Sequence, residues 1–183
     1  FSRTEQRTTP LIVTRSIAKF ALALATSALM TYAHGALDRV GDFALLDQHG
    51  EFHQISRYQH RKAVVMMAYQ PSCSNLADSV DYLSELNAKY AGQDVEFVLL
   101  DASGSDRADV VNWEMPLPLL NDAAQLVTAA LDIEQGGEVL VFNPERLSLF
   151  YRGGANSALD ETLQTLLTGS ISDTVQNEVA GCA

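Results

Sequence analysis

The chain has few cysteines, 2 in 183 residues (Cys73 and Cys182), and no C-x-x-C pair. A redox site built from cysteines three apart is therefore excluded, and no Cys/His series has the spacing of a zinc site. Basic residues are also scarce: 12 Lys and Arg stand against 23 Asp and Glu, for a formal net charge of −11. Residues 1–35 hold four of the basic groups and one of the acidic ones, so the remainder carries 8 basic and 22 acidic residues, a net charge of −14. Binding to nucleic acid or anionic lipid depends on neutralising phosphates with Lys and Arg, so no nucleic-acid partner and no membrane-surface role is expected. No apolar run reaches the roughly 20 residues that a membrane-spanning helix needs. Repeats, low-complexity tracts and interdomain linkers are missing too. What is present, 47% hydrophobic and 19% charged residues, suits one domain with its own core.

An export signal is expected at residues 1–35. Arg15 and Lys19 precede the run Phe20-Ala-Leu-Ala-Leu-Ala-Thr-Ser-Ala-Leu-Met30, which has the length of a signal h-region, and small residues follow at 31–36. Cleavage after Ala33 or after Gly35 leaves small residues at the −3 and −1 positions. Such a signal implies a periplasmic or secreted protein with no membrane attachment after cleavage. In that oxidising setting two cysteines allow one intramolecular pairing. The domain then spans 36–168, and a polar tail, 169–183, carries Cys182.

Asp42 to His53 reads as two short strands around a Gly50 turn, a hairpin. Ala63-Val-Val-Met-Met-Ala-Tyr69 is an unbroken apolar run suited to a central strand, with Met66 and Met67 in the core. From Asn75 to Tyr90, the residues Leu76, Val80, Leu83, Leu86 and Tyr90 recur at helical steps, and Gly92 closes the helix. Val95 to Leu100 is the next strand, expected to lie parallel to its predecessor. A short helix is expected over 106–114, a loop around Pro116 and Pro118, and a helix over 123–131 with Asp122 as its cap. Glu138 to Asn143 and Leu147 to Arg152 read as a second hairpin about Pro144-Glu145. A last helix over 159–168 turns Leu159, Leu163, Leu166 and Leu167 inward.

Several segments carry a resemblance. They are Val40-Gly-Asp-Phe-Ala-Leu-Leu-Asp-Gln-His-Gly50, Cys73 just beyond the buried strand, 121–131, Glu138-Val-Leu-Val-Phe-Asn-Pro144, and Tyr151-Arg-Gly153. In this order they resemble the thioredoxin-like redoxin domains of the alkyl hydroperoxide reductase/thiol-specific antioxidant (AhpC/TSA) type. The terminal Gly181-Cys182 is similar to the ending of some exported redoxin-domain proteins. The resemblance implies an α/β fold with a central mixed sheet, helices on both faces and an N-terminal β-hairpin extension. It implies a thiol–disulfide oxidoreductase or thiol antioxidant that needs no cofactor or metal, with a thiol- or disulfide-bearing protein as substrate or reductant. Cys73 would attack and Cys182 would resolve. A basic group often lies near the thiolate in such proteins, and Arg152 is the candidate; a surface ion pair is the other reading of that residue.

Departures from the pattern point the other way. Gln70 and Leu76 stand where a second cysteine would complete a dithiol motif. Met66 and Gln70 replace the proline and hydroxyl residue of a peroxidase site, so fast reaction with peroxide is not expected. Gly136-Gly137 stands where the fold carries a proline, and Ala77 where a copper-binding relative needs its second cysteine. Gln70 and Gly137 are thus degenerate motif positions. The alternative they support is a binding or assembly module with a structural Cys73–Cys182 disulfide. Cys73 itself is expected in the first turn of a helix, where unpaired N–H groups favour thiolate, and Cys182 on a mobile tail. His49, His53 and His60 read as solvated surface, and Trp113 as packing.

The signal makes a direct prediction. Protein recovered from an envelope or secreted fraction should begin at His34 or Ala36 by N-terminal sequencing, and a cytoplasmic form retaining residues 1–35 would contradict the signal.

Overall fold

The computed structural model describes residues 39–169 and 173–182; the expected export signal lies outside the described residues. In chain order the elements are β1 (Ala44–Leu46), β2 (Phe52–Gln54), a 3-10 turn (Ile55–Tyr58), β3 (Ala63–Tyr69), α1 (Leu76–Lys89), β4 (Val95–Asp101), α2 (Arg107–Val110), β5 (Leu119–Asn121), α3 (Leu126–Ala130), β6 (Val139–Asn143), β7 (Ser148–Gly153), α4 (Ser157–Thr168) and β8 (Val175–Gln176). β1 and β2 pair as an antiparallel hairpin; the other six strands form one sheet in the order β5-β4-β3-β6-β7-β8.

The apolar run of β3 explains its central place. Ala63 through Ala68 are all buried, because β3 pairs with β4 in parallel on one side and with β6 antiparallel on the other. Alternate residues feed two cores. Val65 and Met67 join α1, α2 and α4 on one face, through Leu83, Val110, Leu159 and Leu163. Val64 and Met66 join α3 and the segment around Ile55 on the other, through Val127 and Leu131. The fold class is thus the one implied by the sequence: a mixed sheet covered on both faces, with a hairpin at its N-terminal end.

The hairpin closes one sheet edge. Buried Gln48 donates from Nε2 to Leu117 O (3.3 Å), and its Oε1 accepts from Leu119 N (2.7 Å). Arg107 Nη1 donates to Asp47 O from the other side. An amide side chain here supplies the partners that another strand would supply, which blunts the edge.

Four elements differ from expectation. β5 forms where a loop is expected: only three residues separate Pro118 from Asp122, and neither its length nor its pattern signals a strand. α2 has one turn, since Asn112 N and Trp113 N bond back three residues, to Asp109 O and Val110 O, and tighten the helix out. α3 starts three residues late: Gln125 sits at φ +52, with its Nε2 donating to Ala102 O (2.8 Å). Asp122 still caps it, its Oδ2 accepting from Thr128 N (2.8 Å) and Thr128 Oγ1 (2.9 Å). The tail, expected to be mobile, pairs as β8 in parallel with Tyr151 and Arg152 of β7.

Leu83 is wholly buried where α1 meets the sheet. Leu83→Ala should cost about 2–5 kcal/mol in denaturant unfolding, from lost burial and the cavity left behind.

Candidate functional site

After β3 the chain turns at Pro71. Cys73 N–H donates to Gln70 O (3.0 Å), and Leu76 N–H, the first residue of α1, donates to Cys73 O (3.2 Å). The cysteine therefore lies two residues ahead of the N-cap, Asn75, and not in the first helical turn as expected. It is 5% exposed and bonded to Cys182, with the two Cα atoms 5.9 Å apart. Asn75 Oδ1 lies 2.9 Å from Cys73 Sγ and 3.7 Å from Cys182 Sγ. A disulfide has no S–H to donate, so these are contacts in the oxidised protein. In the reduced protein the same oxygen can accept from a thiol S–H.

The other side of the disulfide is made by backbone. Gly137 N–H donates to Ala68 O (2.8 Å) and Ala68 N–H to Glu138 O (2.8 Å), which extends the β3–β6 ladder by one step. Gly136 N–H then points the opposite way, to Cys182 O (2.9 Å). A side chain at either position would press on a neighbouring side chain, and at Gly137 it would also be strained by the backbone. A Cβ on Gly137, at φ +87, would lie 2.7 Å from Leu76 Cδ2, and one on Gly136 would lie 2.9 Å from Gln70 Oε1. The two degenerate motif positions, Gln70 and Gly137, thus belong to one close approach, between the turn before α1 and the loop before β6.

The described part of the tail, 173–182, is tied down at several points. Thr174 Oγ1 donates to Leu149 O (2.9 Å), Asn177 N to Arg152 O (2.9 Å), and Gly154 N to Glu178 O (3.0 Å). Near the tip Asn75 Nδ2 donates to Ala180 O (3.3 Å). Asn75, which touches both sulfurs and the tail, was not singled out in the sequence. Its position two residues after Cys73 was the available signal.

Arg152 does not turn to the sulfur. Its Nε donates to Glu138 Oε1 (2.5 Å), and its Nη2 donates to Leu131 O (2.6 Å) and Asp132 O (2.8 Å), so the guanidinium closes the C-terminal end of α3. The ion-pair reading of this residue is the one observed, although the pair is largely buried, at 15% and 8% side-chain exposure. On the free side of Cys73 a cleft of about 340 Å³ opens between Tyr69, Pro71, Leu76, Met115 and Pro116, with the carboxylates of Asp81 and Glu114 also lining it. Trp113 packs edge-on against Tyr69, with centroids 6.1 Å apart, and supports that wall.

A second cluster sits in the hairpin. His53 Nε2 is 3.0 Å from Asp47 Oδ2, and His53 Nδ1 is 2.5 Å from Tyr58 Oη. His53 is thus a bonded, half-buried residue, unlike the exposed His49 and His60. Asp47, Glu51 and His53 bring potential metal ligands within 4.8 Å of one another, but both ring nitrogens of His53 already have partners. Burial raises the Asp47 pKa, and this is outweighed by hydrogen bonds from His53 and from the N–H groups of Glu51 and His49, so the carboxyl is held below its ordinary value. Burial first, and the negative charge of Glu96 after it, push the Tyr58 hydroxyl up to about 12.

No family model matches the sequence, and no curated protein matches it. Solved structures do. An uncharacterized conserved protein from Geobacillus kaustophilus superposes with a TM-score of 0.69 at 22% identity, covering 79% of this chain and 88% of that one. A putative thiol:disulfide interchange protein DsbE from Chlorobium tepidum gives 0.59 at 15% identity, covering 71% and 96%. The pneumococcal exposed lipoprotein thioredoxin from Streptococcus pneumoniae gives 0.56 at 24% identity, covering 69% and 98%. The chain has the thioredoxin-like fold. No helix among the described residues is long and apolar enough to cross a membrane.

The depressed Asp47 sets an expectation for acid stability. A carboxyl whose folded pKa lies below its unfolded value stabilises the fold above about pH 4, and that contribution is lost as pH falls through the folded pKa. Asp47→Asn should lower the denaturant midpoint at pH 6 and flatten its fall below about pH 4; an unchanged acid slope would show that Asp47 carries none of it.

Proposed function

We propose that this protein is an exported thiol–disulfide exchange protein in which Cys73 is the exchanging sulfur and Cys182 its resolving partner. The observation that carries this reading is the position of the Cys73–Cys182 disulfide. It lies beside an open cleft, at a helix start, in the fold shared with a putative thiol:disulfide interchange protein and an exposed lipoprotein thioredoxin. In the reduced protein the Cys73 thiolate attacks one sulfur of a partner disulfide, and the partner's other sulfur leaves as thiolate and takes up a proton. The Cys182 thiolate then attacks Cys73 Sγ, the mixed disulfide breaks, and the partner's cysteine leaves and is protonated. The partner disulfide gains two electrons and the Cys73–Cys182 pair loses two. A dithiol reductant returns the pair to its starting state. Peroxide is not the substrate, since Met66 and Gln70 offer no hydroxyl to orient it.

A second reading keeps the disulfide as a permanent staple of a binding module. The strand pairing of the tail favours it, and so does the sequence separation of 109 between the cysteines. A closed loop that long stabilises by roughly 4–5 kcal/mol on the chain-entropy model.

Two variants separate the readings. On the exchange reading, Cys182→Ser leaves Cys73 reactive and traps mixed disulfides on non-reducing gels, while Cys73→Ser abolishes exchange. The reduction potential of the pair should then lie between roughly −180 and −270 mV, as in working dithiol proteins. A potential below about −300 mV, equal loss of stability in both variants, and no trapped partner would leave the staple.

A further inference from the structure

The tip of the tail is bound as a peptide is bound. Its recognised atoms are main-chain ones: Cys182 O accepts from Gly136 N–H, Ala180 O from Asn75 Nδ2, and Glu178 O from Gly154 N–H. Any extended chain offers those carbonyls, so they fix direction and register without selecting sequence. Sequence enters at two places. One is the cysteine, whose sulfur must meet Cys73. The other is the residue before it. A Cβ built on Gly181 runs into the carbonyl oxygen of Gly136, far inside contact distance. Gly136 has little room to give way, because Gln70 lies against its other side and the next peptide is locked by Gly137 N–H to Ala68 O.

Resting on the exchange reading above, we propose that the channel between Asn75, Gly136 and Cys73 is the substrate site, and that it takes an extended polypeptide segment in which glycine precedes the reacting cysteine. The tail is that site's own occupant. While Cys73–Cys182 is oxidised the channel is filled. When the pair is reduced, the tail and a partner's Gly-Cys segment compete for the same hydrogen bonds. The Cys73 thiolate attacks the Gly-Cys sulfur of the partner disulfide and forms the mixed disulfide, with the other partner sulfur leaving as a protonated thiol. Return of the tail brings Cys182 to Cys73 and expels the segment as its thiol. Selectivity and turnover thus come from one steric constraint, since the segment that resolves must meet the same glycine requirement as the segment it displaces.

The test uses the full chain carrying Cys182→Ser, reduced, so that the channel is not closed by its own disulfide. The probes are blocked peptides Glu-Val-Ala-Gly-Cys-Ala and Glu-Val-Ala-Ala-Cys-Ala, each as its symmetric disulfide, with an aromatic small-molecule disulfide as a size-free control. Mixed-disulfide formation at Cys73, followed by mass spectrometry, should be at least about tenfold faster with the Gly-Cys peptide, because overpacking a locked backbone is penalised on that scale. Equal rates with both peptides would overturn the channel proposal while leaving exchange intact. No reaction with either peptide or with the control would overturn the exchange reading and this inference with it. In the otherwise unaltered chain, Gly181→Ala should slow closure of Cys73–Cys182 by a similar factor under a glutathione redox buffer, without lowering the rate at which the reduced Cys73 reacts with the control. Closure at the original rate would count against the constraint.

Discussion

Three backbones lie side by side at the end of β3, and each supplies the hydrogen-bond partner of the next. Ala68 and Gly137 share one face of the loop before β6, and Gly136 offers the other face to Cys182. Backbone groups buried at such a place must be paired, so the loop cannot move without breaking contacts on both sides. Glycine suits this place, since Gly137 sits at φ +87, a conformation that glycine adopts without strain. Leu76 then closes over Gly137, and Gln70 closes over Gly136. The start of α1, the turn bearing Cys73 and the tail bearing Cys182 are all positioned by that approach.

The sheet makes the approach rigid. β3 has neighbours on both sides and cores on both faces, so its C-terminal end is fixed in every direction that matters to Cys73. Arg152 contributes from the far side of β6, where it binds Glu138 and the last carbonyls of α3. Its charge holds the loop that precedes β6 in place, so it supports the site without reaching the sulfur. Taking one partner away from a largely buried ion pair strands the other, and for that reason this pair is a positioning device whose removal would be felt at Gly136.

The long elements were legible because their patterns are strong. The run from Ala63 to Tyr69, the helical steps from Leu76 to Tyr90 and the hairpin about Pro144 all state their structure through periodicity. The short elements were not. β5 has three residues, and α3 begins only after Gln125 takes a left-handed turn whose cause, a hydrogen bond to Ala102, lies 23 residues away. The tail was opaque for a related reason. Its residues from 173 to 178 are polar apart from Val175 and carry no strand pattern, and their order comes from carbonyls and N–H groups offered by β7 and Gly154. Of the site, Cys73, Cys182, Gln70 and Gly137 were found by comparison with a motif. Asn75 carries no motif of its own, and only its place two residues after Cys73 pointed to it.

The place of Cys73, two residues ahead of the N-cap of α1, has a chemical consequence. In the first turn of a helix a sulfur meets unpaired N–H groups, which favour thiolate. Here Leu76 N–H goes to Cys73 O and Cys73 N–H goes to Gln70 O, so neither is free for the sulfur, and Cys73 Sγ lies 2.9 Å from the side-chain amide oxygen of Asn75. Neither arrangement offers the sulfur a hydrogen-bond donor. What remains in its favour is the field of a 14-residue helix, and a helix terminus contributes only about 0.3–1 kcal/mol at ordinary exposure. On the exchange reading, rate must therefore come from holding the partner's sulfur in line, by the same backbone channel that holds the tail, more than from an activated nucleophile.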